Sequence, residues 1–209
     1  PNGITPPVYR DPEIIPGLGV DRPFALFVGR LVPEKGCHLL LEAWADLPAG
    51  IRDTHVLAIA GDAGFTAGYV DKLKKMAPRG VVFLGYLRGP ALAELYTYAD
   101  LVVLPSTLEG LSITLLEGMS YARCCLVSDI PPNLEAADGR AVLFRSGDVG
   151  DLRARLAELL ADPRRRTELG AEAQLHAIEE YSWDRVAALT RDLYGEILAG
   201  KVTNRADSI

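Results

Sequence analysis

The sequence predicts an α/β fold: a Rossmann-like, doubly wound parallel sheet followed by C-terminal helices. Three observations carry this expectation. Six short β-rich runs alternate with helical patterns, as repeated βα units require. The runs are almost continuously apolar rather than alternating, so both sheet faces should be covered. From Val149 onward the pattern is entirely helical.

Residues 1–22 contain five prolines and no hydrophobic period, which reads as an interdomain linker or extended arm. Strands are expected at 24–28, 55–60, 81–84, 101–104, 124–128 and 141–144. Helices are expected between them at 37–47, 66–76, 90–99 and 113–122, with a short one at 133–137. Leu152, Leu156, Leu159 and Leu160 then make one face of a helix that ends near Asp162-Pro163. A second helix covers about 164–180. Ser182 is placed to cap a last helix, with Trp183, Val186, Leu189, Leu193 and Ile197 on its buried face. The domain should therefore run over 23–200, with 201–209 as a tail.

Composition narrows the function classes. The chain has 209 residues, 49% hydrophobic and 24% charged, the balance of a folded globular protein. A net charge of −6 argues against nucleic acid held on a broad basic face, yet leaves room for a local basic pocket. No apolar run approaches the roughly 18 residues of a membrane span, and no secretory signal pattern is present. The chain starts at Pro1 without methionine and so looks like a piece of something longer. Cys37, Cys124 and Cys125 lack metal-ligand spacing and read as reduced thiols of a cytoplasmic protein.

In an open α/β sheet, ligands bind at the carboxyl ends of the strands. After the first strand come Gly29, Arg30 and, five residues on, Lys35. Arg offers phosphate a planar fork and Lys a mobile point charge, so the pair suits a diphosphate. Taken alone, the two read more readily as solvated loop cations, the usual fate of Arg and Lys. The dinucleotide fingerprint G-x-G-x-x-G and the Walker A pattern are both missing, which disfavours NAD, FAD and ATP hydrolysis. The second strand ends in Gly61-Asp62-Ala63-Gly64, a turn that keeps a cleft open. The third ends near Tyr86, Leu87 and Arg88, where backbone can meet a base edge, although simple surface exposure suits Tyr86 and Arg88 as well.

The fourth strand leads into Glu109-Gly110-Leu111-Ser112-Ile113-Thr114-Leu115-Leu116-Glu117, two glutamates separated by seven residues. Ser112 would cap the helix and aim the N–H groups of Ile113 to Leu115 at an anion. Glu109 suits sugar hydroxyls. Glu117, among Leu115, Leu116 and Met119, is costly unless hydrogen-bonded, and a vicinal diol would serve. A surface acid at 109 and an Arg-paired acid at 117 are the plainer alternatives. The histidines His38, His55 and His176 form no catalytic arrangement.

Taken in order, Gly29-Arg30-Leu31, Lys35-Gly36, Pro105-Ser106, the glutamate pair and Ser128-Asp129-Ile130-Pro131-Pro132-Asn133-Leu134-Glu135 resemble the retaining GT-B glycosyltransferases of the glycosyltransferase-4 group. Gly147-Asp148 and Tyr181-Ser182-Trp183 extend the likeness to nearly the whole chain. The resemblance implies one lobe of a GT-B fold, the C-terminal lobe that binds a nucleotide diphosphate sugar as donor. It implies retention of anomeric configuration, no bound metal and no cofactor. Arg30 and Lys35 would neutralise the leaving diphosphate, with Glu109 on the transferred sugar and Glu117 on the ribose. Gly29, Gly61, Leu87, Arg88 and backbone from Gly110 through Leu111, Ser112, Ile113 and Thr114 to Leu115 would complete the donor contacts.

Where the family's commonest motif has Phe and Gly, this chain has Leu111 and Ser112, which bears on donor identity or pocket width. The acceptor lobe would lie upstream, and peripheral membrane association would run through it. The isolated piece should bind donor weakly and transfer little. A non-catalytic interaction or regulatory domain, and a GT-B nucleotide-sugar epimerase, are the alternatives.

Overall fold

The computed structural model of the protein describes residues 2–62 and 67–199. Its strands are β1 (Phe24–Val28), β2 (Val56–Ala60), β3 (Val81–Gly85), β4 (Leu101–Leu104), β5 (Cys125–Ser128) and β6 (Val142–Phe144). Every pairing is parallel, and the order across the sheet is β3-β2-β1-β4-β5-β6. The chain winds outward from β1 to β3, then returns to lay β4 against the other side of β1, with Ala25 opposite Leu101. The winding reverses between β1 and β4, so the loops leaving these two strands flank a crevice.

Helices cover both faces. They are α1 (Cys37–Ala45), α2 (Ala49–Thr54), α3 (Ala67–Met76), α4 (Pro90–Tyr98), α5 (Ile113–Ser120), α6 (Pro131–Ala137), α7 (Val149–Ala161), α8 (Pro163–Tyr181) and α9 (Trp183–Leu198). Because side chains alternate along a strand, Leu26, Ala58, Val102 and Val127 pack under α4, α5 and α8, while Phe27, Ile59, Val103 and Leu126 pack under α1 and α7. Cys125 and Cys124 divide between the two faces in the same way. All three thiols are free and buried, and burial pushes Cys37 and Cys124 up to about 12.

The expected strands are recovered within a residue at each end. Helix α2 was not expected: Ala-Gly-Ile-Arg-Asp-Thr offers only Ile51 as a half-buried apolar anchor and carries no stripe. Helix α5 stops at Ser120 rather than 122 because Ala122 turns left-handed, at φ 55°. Helix α6 begins at Pro131, where proline costs no hydrogen bond. The expected start of the third helix at 66, the Ala63-Gly64 half of the turn after β2 and the tail at 201–209 lie outside the described residues.

The largest correction concerns α9. Ser182 does cap it, accepting from the Arg185 N–H at 3.3 Å. Of the face expected to be buried, only Val186 is. Trp183, Leu189, Leu193 and Ile197 are 48–52% exposed. The apolar stripe is present, but the described residues do not cover it. A depression of about 720 Å³ runs along this helix, lined by Trp183, Val186, Thr190, Tyr194 and Leu198 among others.

The proline-rich arm is tied to the sheet domain at both ends. Ile4 donates its N–H to the Tyr181 carbonyl at 2.7 Å, and Gly3 lies against the Trp183 ring. Farther along, Ile15 is buried in a single 3-10 turn, Ile15–Leu18. The buried Glu94 carboxylate of α4 receives the N–H groups of Ile14 (2.8 and 3.0 Å) and Ile15 (2.7 Å). Sequence reasoning missed Glu94, which looks there like any helical surface acid.

Candidate functional site

At the end of β1 the backbone is threaded between its neighbours. Gly29 donates to the Ala60 carbonyl, and Leu31 to that of Asp62. A Cβ on Gly61 would sit 1.9 Å from the Gly29 carbonyl oxygen, so the close approach of these two loops requires glycine. The same holds at Gly36, where φ is +68° and a Cβ would meet the Pro105 oxygen at 1.9 Å. Gly36 thus lets the loop after β1 lie directly on the loop after β4. Thr107 closes the contact by donating its N–H to the Glu34 carbonyl at 2.8 Å.

This junction brings Lys35 to Glu109. The ammonium donates to both carboxylate oxygens, at 2.6 and 2.7 Å. The Ser106 hydroxyl donates to the nearer oxygen at 2.7 Å, and the Glu109 side chain is only 7% exposed. Beneath it, the Ser128 hydroxyl donates to the Ser106 carbonyl. Asn133 in turn donates to the carbonyl and hydroxyl of Ser128, both at 3.1 Å. The Ser128–Asn133 segment therefore props up the loop that carries Glu109. The sequence places Lys35 and Glu109 on different ligand groups. Here they are partners, and the carboxylate is held before any ligand arrives.

Arg30 is exposed at the same mouth; its carbonyl accepts from the Val32 N–H at 3.0 Å, but its guanidinium has no hydrogen bond or ion pair to any described residue. Gly110 is exposed, Leu111 is half-buried, and Ser112 is buried with its hydroxyl accepting from the Leu115 N–H at 3.3 Å. That bond satisfies one of the free N–H groups of α5 and fixes where the helix starts. Ile113 is exposed, Thr114 half-buried and Leu115 fully buried. Leu87 is half-buried and Arg88 exposed in the loop after β3.

Glu117 lies about one turn along α5 and faces a different space. It borders a cavity of about 360 Å³ between the arm (Gly3 to Pro6, Val8 and Arg10), the start of α4 (Gly89, Pro90), and α5 with its C-cap (Ile113, Tyr121). Among the described residues no arginine pairs with it. Its partner is the fully buried Tyr96 phenol, which donates to Oε2 at 2.9 Å. Burial raises the Glu117 carboxyl above the usual carboxylate range, and the Tyr96 hydroxyl offsets part of that rise. Burial, then the adjacent Glu117 charge, pushes the Tyr96 phenol well above its ordinary value, so it stays a donor. Tyr96 stacks on Tyr121 at 5.4 Å between centroids, and the Tyr121 hydroxyl meets the backbone of Val8. Nothing in the local sequence signalled Tyr96 or Tyr121, because each reaches Glu117 or the arm only through packing.

The histidines have local partners: His38 meets the Tyr69 hydroxyl, His55 meets Thr54 and His176 meets the Ala136 carbonyl. Among the described residues, no cluster of His, Cys, Asp and Glu is suited to a metal ion, and no helix is long and apolar enough to cross a membrane. The site thus has two parts, a cationic mouth at Arg30, Lys35 and Glu109, and a deeper carboxylate at Glu117 beside the cavity under the arm.

Residues 13–176 match the sequence profile of the family described as Glycosyl transferases group 1. The chain is 34% identical over 208 residues to alpha-maltose-1-phosphate synthase of Mycolicibacterium smegmatis, covering 90% of this chain and 52% of the relative. It is 30% identical over 204 residues to a D-inositol 3-phosphate glycosyltransferase of Gordonia bronchialis, covering 91% and 44%. Among solved structures, sucrose-phosphate synthase from Thermosynechococcus elongatus superposes with a TM-score of 0.78 at 22% identity, over 96% of this chain and 52% of that one. Anabaena HepE in complex with UDP-glucose gives 0.78 at 21% identity, over 91% and 54%. The chain spans about half the length of the curated relatives it matches.

Proposed function

The chain belongs to the glycosyl transferases group 1 family, and on that premise we propose that it is the donor-binding lobe of a retaining glycosyltransferase. The donor is a nucleotide diphosphate sugar, and the sugar passes to an acceptor held by a second lobe. One observation carries the reading: an exposed Arg30, whose guanidinium has no partner among the described residues, and a preoriented Lys35–Glu109 pair share the mouth of the β1–β4 crevice. A leaving diphosphate gains negative charge as the bond to the sugar breaks. Fixed cations aimed at that charge lower the barrier because they need no reorganisation. Arg30 and Lys35 supply the charge from side chains, so the proposed transfer is metal-independent and needs no cofactor.

Lys35 would be shared between Glu109 and the diphosphate. Glu109, held by Lys35 and Ser106, keeps lone pairs for sugar hydroxyls. Glu117 would accept from the ribose diol, and Gly61, Leu87 and Arg88 would border the nucleoside. Gly29 and the backbone from Gly110 to Leu115 would complete the donor contacts. HepE, which shares the fold, holds UDP-glucose, and that supports a nucleotide sugar as the ligand class.

The same reading divides the chain into an arm (1–22), a nucleotide-sugar domain (23–200) and a tail (201–209). The partner lobe is supported by the half-length match to relatives and by the uncovered apolar face of α9, which suits a second lobe of the same polypeptide. Without that lobe the chain should bind donor but transfer little. The proposed setting is cytoplasmic.

Calorimetry of the chain with UDP, GDP and ADP sugars tests the proposal. Binding to at least one is expected, weakened by Arg30→Ala and by Glu117→Ala. Failure to bind any of them, or binding indifferent to both substitutions, would remove it.

A further inference from the structure

We propose that Tyr96 is a positioning residue for ribose recognition: its buried hydroxyl holds one oxygen of Glu117 and turns the other toward the cavity under the arm. The inference rests on the reading of Glu117 as the ribose-holding carboxylate and adds the element that aims it.

The geometry is specific. Tyr96 sits in α4, twenty-one residues before Glu117, and its hydroxyl reaches across to α5, donating to Oε2 at 2.9 Å. The ring is locked. It is 2% exposed and stacks on Tyr121 with 22° between the planes. Tyr121 is fastened to Val8 of the arm, so α4, α5 and the arm meet around this one carboxylate. A phenol in that position can only donate to Glu117, because burial and the adjacent carboxylate both keep its proton in place. One oxygen is therefore occupied by the protein. Oε1 is the oxygen with no hydrogen bond to a described residue, and Glu117 borders the cavity.

A carboxylate free to rotate pays rotamer entropy on binding a diol, whereas one tethered from behind has paid it in folding. The tether also favours the charged form of the carboxyl, offsetting part of the rise that burial imposes. A protonated carboxyl would offer a vicinal diol one acceptor fewer. The Tyr96 hydroxyl should thus matter most for ligands that present a 2′-hydroxyl.

The test is a comparison of nucleotides on the full chain. UDP, ADP and GDP are titrated against their 2′-deoxy counterparts in wild type, Tyr96→Phe, Glu117→Gln and the double variant. Tyr96→Phe keeps the ring and its stack and deletes one donor. It is expected to weaken the ribonucleotide by roughly fivefold to thirtyfold and leave the deoxynucleotide nearly unchanged. In the Glu117→Gln background the same substitution is expected to change the ribose preference little, because the hydroxyl acts through Glu117. A ribose preference that survives in Tyr96→Phe, or an equal weakening of both sugars, would overturn the positioning role alone. A wild-type chain that binds nucleotides without preferring ribose would remove the Glu117 reading, and the tether with it. Absence of nucleotide binding altogether would reject the donor-lobe reading itself.

Discussion

The Lys35 ammonium lies 2.6 Å from a carboxylate oxygen of Glu109, although seventy-four residues separate them in sequence. Both sit at the switch point of the sheet, and both are largely shielded, at 21% and 7% side-chain exposure. Removing one charge leaves the other desolvated and unpaired. Lys35→Ala is expected to destabilise the fold by about 1–3 kcal/mol, read from urea unfolding. Adding Glu109→Ala should recover part of that loss, and nucleotide-sugar binding should stay weak in both variants. Equal, additive losses would show that the pair is not coupled.

Arg30 behaves oppositely. Its side chain is exposed and has no partner among the described residues, so Arg30→Ala should alter stability by less than about 0.5 kcal/mol. Donor binding should fall about tenfold, with a shallower dependence on salt, as expected when one phosphate-facing charge is lost. Melting and titration on the same preparation separate the two effects.

Glu117 makes stability depend on pH. Its carboxyl is raised by burial in the folded state, against 4.5 ordinarily. The folded chain therefore holds a proton that the unfolded chain has released, and stability falls as pH rises from 4.5 through the raised value. Tyr96 touches it, while Tyr121 and Arg10 line the same cavity. Glu117→Gln removes the titration, so its stability relative to wild type should increase from pH 4 to pH 8 while nucleotide binding declines. A difference between the two that is flat with pH would contradict this.

Glu94 anchors the arm. Glu94→Ala strips the partners from the Ile14 and Ile15 N–H groups and is expected to cost about 2–4 kcal/mol. Hydrogen exchange at residues 14 and 15 should rise before that of β1. Glu94→Gln keeps an acceptor and should cost less. Unchanged protection in the alanine variant would show that the arm is held elsewhere.

The α9 face should distinguish this chain from the proposed two-lobe polypeptide. Leu189→Ser with Leu193→Ser removes apolar surface that is already about half exposed, so the present chain should lose less than about 1 kcal/mol. In a polypeptide carrying the second lobe, the same pair should lower transfer activity and the lobe–lobe melting transition. Equal effects in both settings would argue against a lobe on this face.

Much of the fold was legible before its coordinates. Phe24–Val28 and Leu101–Leu104 are unbroken apolar runs, and such runs bounded by turn residues have few other uses. Ser112, Ser182 and the Asp162-Pro163 break marked helix ends because capping is a local hydrogen bond. Glu109 and Glu117 were visible as a spaced pair after a strand. Their partners were not: Lys35 lies seventy-four residues before Glu109 and Tyr96 twenty-one before Glu117, across separate elements. The amphipathic stripe of α9 was read correctly as a pattern and wrongly as buried, since periodicity reports a face but not what covers it.

The sequence by itself determined the periodicities: which segments are strands or helices, where several helices start, and that both sheet faces are covered. These follow from interactions within a few residues. Only the tertiary structure decided that β4 returns beside β1, that Gly36 lies against Pro105 and brings Lys35 to Glu109, that Tyr96 backs Glu117, and that Glu94 holds the arm. Each depends on how helices settle on a twisted sheet, a long-range packing outcome that no local spacing encodes.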